Sequence, residues 1–308
     1  MNISGALPAI LQLYSRFLHW LPVSSGLTPL SFNRLIDPLF SHCPKTVVAQ
    51  MLNGILMGVD PLDYHGRILY LFGTNDPKVQ AVTQGLLSPG DRFLDIGANY
   101  ASIGLLAADS VGADGRVHLF EPQPHLCEAV SATIQQAQLT NVQLHPIGLF
   151  DRDDTLTLMR PQHHSGMATL IERENIDSDT WETVNVPVKE ISAYVKPLVV
   201  DVPFGVKIDV EGAEPILMPW LLQQPNLKFL VFEAAHHQAT LWNLIQESGL
   251  RLYGLRRLVF GKRLRAVTSF ADMAQYHDIV AVRSVEPLPP DVSVRQLAQC
   301  LKGEKKEG

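Results

Sequence analysis

Cysteine is scarce in this chain, with three in 308 residues, at Cys43, Cys127 and Cys300. They lie far apart and form neither a CxxC pair nor a zinc spacing. That excludes a disulfide framework and a structural metal centre, and predicts reduced thiols in a cytoplasmic protein. Charge is sparse too: Asp, Glu, Lys and Arg make up 18% of the residues, with a formal net charge of −6 and no long basic run. This excludes a charge-encoded nucleic-acid footprint. Long apolar runs are also missing. Residues 17–33 carry no formal charge, but Pro22, Ser24, Ser25, Gly26 and Pro29 interrupt them. A spanning helix needs about 20 mostly apolar residues. A secretory signal opens on a basic segment, whereas the first charge here is Arg16, inside the apolar part. The expectation is neither export nor a membrane span.

Apolar mass is abundant, at 46% of residues, enough for one large domain or two small ones. Ile10, Leu13, Tyr14, Phe17 and Leu18 recur at i, i+3, i+4, i+7 and i+8, one face of a helix over 8–20 that is expected to pack against the main domain. Residues 22–90 read as a mixed segment ending at the Pro89-Gly90 turn. From there strands and helices alternate. Strands are expected at Arg92–Ile96, Val117–Phe120, Val142–Leu149, Val206–Val210 and Leu227–Phe232, and helices over about 101–110, 126–137, 214–223 and 239–248. Thr155–Met159 and Val184–Val188 read as an antiparallel pair that breaks the rhythm. Arg251–Leu255 and Ile279–Arg283 close the sheet. This alternation predicts an α/β fold on a doubly wound, mostly parallel sheet. The charged stretch from Lys302 to Gly308 reads as a disordered tail.

Ligands of open α/β sheets bind outside the carboxyl ends of the strands, and four such ends carry chemistry. The first is Asp95-Ile96-Gly97-Ala98-Asn99. Gly97 permits a tight turn, but Asn99 and Ser102 stand where a dinucleotide fingerprint needs glycine. A cofactor with an amino-acid moiety and no pyrophosphate suits this turn better. S-adenosylmethionine meets that description, so Asp95, Gly97 and Asn99 are read as cofactor residues. The second end is Glu121, whose carboxylate can accept both hydroxyls of a ribose. The third is Lys207-Ile208-Asp209-Val210-Glu211-Gly212. Lys207 and Asp209 share one side of a strand, where a simple structural ion pair is the competing explanation. The fourth is Glu233, followed by His236 and His237. These carboxylates and imidazoles can form a base cluster or bind a divalent ion; the reading assigns no metal to them.

In their order and spacing these stretches resemble the FkbM family of S-adenosylmethionine-dependent methyltransferases. The matching blocks are Pro89-Gly90-Asp91 into Asp95–Asn99, then Phe120-Glu121-Pro122, Gly166–Leu170, Lys207–Glu214 and Phe232-Glu233. The resemblance covers roughly residues 60 to 283. It implies a class I methyltransferase, Rossmann-like sheet of seven strands and methylation, typically at oxygen, of a sugar, glycoconjugate or secondary metabolite. It also implies a small-molecule or carbohydrate acceptor and no nucleic-acid partner. The chain then divides into an N-terminal helical or mixed extension (1–60), the methyltransferase domain (61–285) and a tail (286–308). Asp209 is the first choice for base, with Glu211, Glu233 and His237 behind it, and Lys207 holds Asp209 ionised. One position departs from the family. Ala101 stands where glycine is usual, and Ala101→Gly is expected to cost a little stability through backbone entropy. Two rival readings stay open, a nucleotide-binding oxidoreductase and a non-catalytic binding protein with a decayed cofactor site.

Overall fold

In the computed structural model, which describes residues 3–21, 25–171, 180–257, 263–283 and 289–301, the chain opens with helices α1 (Ile3–Trp20), α2 (Leu27–Ser31) and α3 (Asp37–Phe40). A hairpin follows, β1 (Val47–Gln50) with β2 (Leu56–Val59), and then α4 (Tyr64–Phe72) and α5 (Pro77–Leu86). Both helices start at an aspartate. Asp63 accepts from the Gly66 N–H, and Asp76 from those of Lys78 and Val79, next to a proline at the first turn of α5. Each carboxylate thereby satisfies donors that a helix start leaves unpaired.

The alternating part runs β3 (Arg92–Ile96), α6 (Ser102–Val111), β4 (Arg116–Phe120), α7 (Pro124–Gln136) and β5 (Val142–His145). Three strands then leave the main sheet: β6 (Gly148–Phe150), β7 (Asp154–Pro161) and β8 (Trp181–Glu190). The chain returns through α8 (Ile191–Val199), β9 (Phe204–Ile208), α9 (Glu214–Leu222), β10 (Leu227–Glu233), α10 (Gln238–Ser248) and β11 (Arg251–Leu255). It ends with β12 (Arg263–Val267), α11 (Phe270–Met273), β13 (Asp278–Val282), β14 (Asp291–Ser293) and α12 (Val294–Leu301).

The main sheet has the order β14-β12-β11-β13-β10-β9-β3-β4-β5. Strands β5, β4, β3, β9 and β10 are parallel, and β13 is antiparallel to both of its neighbours. The seven strands from β5 to β11 are the class I methyltransferase sheet, with β12 and β14 added at one edge. Both faces are buried, as period-two alternation requires. Phe93, Leu119, Phe229 and Val231 join one apolar cluster with α4, α5 and α6. Leu94, Ile96, Phe120, Leu230 and Phe232 join the other with α8, α9 and α10.

Two expectations need correction. Val142–Leu149 is not one strand: it breaks at Pro146, which has no N–H for a ladder. Strand β5 pairs with β4, while β6 pairs with β8 in the separate three-stranded sheet. The N-terminal helix also packs on a different face from the one read off the sequence. Leu11 and Leu18 are buried and Tyr14 is partly buried, but Ile10, Leu13 and Phe17 are 51%, 65% and 54% exposed. A helix apolar on more than one side gives periodicity no means of choosing between them. The antiparallel pair is present as β7 and β8, with Thr155 opposite Pro187 and Met159 opposite Thr183. Residues 291–301 form β14 and α12, whose Val294 lies against Gly85 of α5; the tail expected from Lys302 lies outside the described residues. Cys43, Cys127 and Cys300 are unpaired. Among the described residues no helix is long and apolar enough to cross a membrane.

Candidate functional site

The strand order reverses between β3 and β9, since β4 lies on one side of β3 and β9 on the other. A cleft of about 670 Å³ opens there, at the carboxyl ends of β3, β4, β9 and β10. Its lining includes Gly97, Asn99, Glu121, Lys207, Asp209, Glu211 and Glu233. Four separate stretches of sequence thus converge on one site.

Gly97 has φ +74°, and a Cβ there would collide with the Asp209 carbonyl oxygen. No side chain fits, so the two strand ends approach backbone to backbone. Asp95 sits beneath this turn, fully buried, and is not part of the cleft lining. It accepts from the Gly104 N–H at 2.9 Å and lies 3.3 Å from Lys207 Nζ. The pairing follows from register, because Asp95 is directly opposite Lys207 across β3 and β9. Lys207 also donates to the Gly97 carbonyl at 2.7 Å, and its Nζ is 3.6 Å from Asp209. Burial raises the Asp95 carboxyl above its ordinary value against the pull of Lys207. For Lys207, burial alone would lower the value, but the carboxylates of Asp95 and then Asp209 outweigh it and raise it.

Glu121, 2% exposed, uses both carboxylate oxygens on backbone donors, Asn99 N–H at 2.7 Å and Gln123 N–H at 2.9 Å. Burial raises its pKa against those hydrogen bonds. A carboxylate offers about four acceptor sites, so each oxygen keeps a lone pair for a ligand hydroxyl. Asn99, at φ +54°, donates its side-chain amide to Ser165 Oγ at 2.9 Å. Ser165 in turn donates to Asp63, the cap of α4. That network ties the Gly166–Leu170 block to the cofactor turn.

The Lys207–Glu214 block acts as one loop. Glu214 accepts from the Val210 and Gly212 N–H groups at 3.0 Å each, and Thr169 Oγ1 donates to the Glu211 carbonyl at 2.8 Å. Glu211 and Gly212 take φ +53° and +108°, which turns Asp209 and Glu211 into the cleft. One oxygen from each of Asp209, Glu211 and Glu233 lies within 4.8 Å of the others. The three carboxylates thus have the spacing to hold a divalent cation, although the sequence reading assigned none. His237 is exposed, begins α10 in the left-handed region and does not line the cleft; His236 is the imidazole beside Glu211, at 3.5 Å.

Three cleft histidines, His65, His164 and His277, escaped the sequence reading. His277 hydrogen-bonds Glu233 at 2.7 Å and sits 3.3 Å from Asp278. Those bonds, to Asp278 first and then Glu233, hold its pKa at about 10. It immediately precedes β13, whose first residue Asp278 pairs with Glu233, and that pairing of β13 with β10 hid its approach to Glu233 from the sequence. His65 enters the cleft from α4, and burial lowers its pKa to about 4, leaving a neutral ring near Asp209 and Lys207. Only the Asp63 cap could have flagged it.

The donor set fits S-adenosylmethionine. Gln123 Oε1 and Asn75 Oδ1 are buried acceptors without a protein partner among the described residues, and both residues line the cleft. With Glu121 they offer acceptors to hydroxyl and ammonium donors, beside apolar walls from Phe120, Ile147 and Leu149.

Comparison with known proteins points the same way. Residues 95–277 match the model of the methyltransferase FkbM domain. No curated protein matches the chain. Among solved structures it is similar to a precorrin-6y C5,15-methyltransferase from Geobacter metallireducens, at 13% identity and TM-score 0.38, covering 68% of this chain and 89% of that one. It is also similar to Aeropyrum pernix fibrillarin with bound S-adenosyl-L-methionine, at 13% identity and TM-score 0.36, covering 77% and 94%. A third is an S-adenosylmethionine-dependent methyltransferase from Aquifex aeolicus, at 9% identity and TM-score 0.34, covering 67% and 92%. With more than half its length matched to one family model, the chain belongs to the FkbM methyltransferase domain family and is an S-adenosylmethionine-dependent methyltransferase.

Proposed function

We propose that the enzyme methylates a hydroxyl oxygen on a sugar, glycoconjugate or secondary metabolite, with residues 61–285 as the methyltransferase unit and 1–60 as an extension. The observation that carries this reading is the meeting of the Gly97 turn and the Asp209, Glu211 and Glu233 carboxylates in one cleft. Bound S-adenosylmethionine supplies an electrophilic methyl group whose thioether leaves without needing an acid. The protein must then position the acceptor and take its proton. Glu121, Asn99 and Gly97 are assigned to cofactor binding, with Asp95 acting from beneath by fixing the turn and Lys207. As the acceptor oxygen bonds to the methyl carbon, its proton passes to Asp209. Lys207 lies 3.6 Å from Asp209 and helps to orient it. Glu211 and Glu233 orient further hydroxyls, and His237 stands at the rim.

An oxidoreductase would need a glycine-rich pyrophosphate turn, and Asn99 and Ser102 stand at two of its glycine positions. Titration calorimetry with S-adenosylmethionine and with NAD separates the readings. Tight binding of the first alone, with release of S-adenosylhomocysteine on adding hydroxylated acceptors, is the expected result. Affinity for NAD alone would support the oxidoreductase, and cofactor binding with no turnover on any hydroxyl acceptor would remove O-methylation.

A further inference from the structure

Helix α1 presents an apolar stripe to solvent. Ile10, Leu13, Phe17 and Trp20 repeat at i, i+3, i+7 and i+10, one side of a helix. They are 51%, 65%, 54% and 80% exposed. The opposite side, through Leu11 and Leu18, is already buried, and Ser15 Oγ donates to the Tyr70 carbonyl of α4. The stripe is therefore not a core face waiting for this fold to close.

Charge argues for what covers it. Residues 1–60 contain three basic side chains, Arg16, Arg34 and Lys45, and two acids, Asp37 and Asp60, in a chain whose net charge is −6. Asp37 is engaged by Arg67 at 2.7 Å, whereas Arg16, Arg34 and Lys45 are exposed. Tyr14 is a helical neighbour of both Ile10 and Phe17, and its hydroxyl donates to the Leu30 carbonyl of α2, four residues before Arg34 in the chain. Leu35 is 85% exposed. A second copy docking by symmetry would bring these basic groups together, which is unfavourable. An anionic surface matches them, and a largely exposed Trp20 beside aliphatic side chains suits the water–lipid boundary. No described helix can cross a bilayer, so contact is parallel to the surface.

We propose that α1 seats the enzyme on an anionic lipid bilayer through Ile10, Leu13, Phe17 and Trp20, with Arg16, Arg34 and Lys45 facing the headgroups. Helix α2, whose Leu27 and Thr28 line the cleft, then lies next to the membrane. The full chain is sedimented with phosphatidylcholine vesicles and with vesicles containing phosphatidylglycerol, as wild type, Phe17→Glu/Trp20→Glu and Leu13→Glu. Wild type is expected to pellet with the anionic vesicles and to release in high salt. The double variant should lose roughly tenfold or more in partitioning, with S-adenosylmethionine affinity and unfolding midpoint unchanged. Those two readouts keep failure here separate from failure of the methyltransferase reading. Three results overturn the proposal: no binding to either vesicle, binding indifferent to phosphatidylglycerol, or a wild-type dimer that the double variant dissociates.

Discussion

Removing charges one at a time from the cluster of Asp95, Lys207 and Asp209 should expose a steep asymmetry. Lys207 Nζ lies 3.3 Å from a fully buried Asp95 carboxylate and 3.6 Å from Asp209, whose side chain is 39% exposed. At an effective dielectric constant near 20, the first contact is worth about 5 kcal/mol of Coulomb energy; in near-aqueous surroundings the second is worth about 1 kcal/mol. Lys207→Met leaves Asp95 uncompensated beneath the turn, a loss of about 3–5 kcal/mol. Asp209→Asn leaves Lys207 with its buried partner and its bond to the Gly97 carbonyl, and should cost less than about 1 kcal/mol. Lys207→Met combined with Asp95→Leu should recover part of the loss, since no buried charge is left uncompensated, with the Gly104 N–H and the Gly97 carbonyl, each left without its partner, limiting the recovery.

Urea unfolding of the four proteins at one pH measures all of this, with constant slopes as the check that only stability has moved. An Asp209→Asn loss equal to that of Lys207→Met would refute the reasoning, since the cluster would then centre on Asp209. The asymmetry also makes Asp209→Asn a clean probe of chemistry. Loss of a general base typically costs about 10²–10⁴-fold in rate, expected here with cofactor affinity intact. Near-normal turnover would pass the base role to Glu211 or Glu233.

Glu121→Gln puts an amide donor against the N–H of Asn99 or Gln123. It should cost about 1.5–3 kcal/mol in stability, the range for hydrogen bonds to a charged group, and weaken S-adenosylmethionine binding in calorimetry; unfolding alone affected would make Glu121 a turn-holder. Ala101, fully buried, holds φ +53° at the start of α6, which reverses the stability cost expected from sequence. Relief of about 1–2 kcal/mol of left-handed strain against roughly 0.8 kcal/mol for the lost methyl makes Ala101→Gly neutral or mildly stabilising, and a loss above about 1 kcal/mol in thermal unfolding would show the strain argument wrong. His277 is raised from 6.5 to about 10, so its contribution is complete below pH 6.5 and fades as pH rises toward 10. The stability gap between wild type and His277→Asn should therefore shrink over that window; a gap that widens contradicts it. His118 and His145 are lowered by burial to about 4, and the stability they allow is present above pH 6.5 and lost as pH falls toward 4, which acid titration of His118→Gln/His145→Gln against wild type measures.

The central strands were legible because a strand buried on both faces is mostly apolar on successive residues, as in Phe93-Leu94, Phe229-Leu230-Val231-Phe232 and Leu252-Tyr253. Their polar termini stood out for the same reason: Glu121, Asp209 and Glu233 follow apolar runs and fall at carboxyl ends, where an α/β sheet opens. Period two also put Lys207 and Asp209 on one side. It could not say which acid Lys207 serves, because that depends on the register of β9 against β3, a pairing between segments more than a hundred residues apart. The same blindness hid His277, brought within reach of Glu233 only after β13 inserts antiparallel beside β10, and His65, carried in by a helix that precedes the whole sheet. Ala101 shows the complementary case. Its residue type was readable as a departure, but the sign of its energetic effect required φ, which no side-chain pattern encodes. What sequence withheld was thus long-range pairing and backbone angle, and both decide here which charged group answers to which neighbour. The exposed side of α1 follows the same logic, since a helix apolar on two flanks becomes informative only when one flank is seen to be occupied by Leu11 and Leu18 and the other is left to a partner outside the chain.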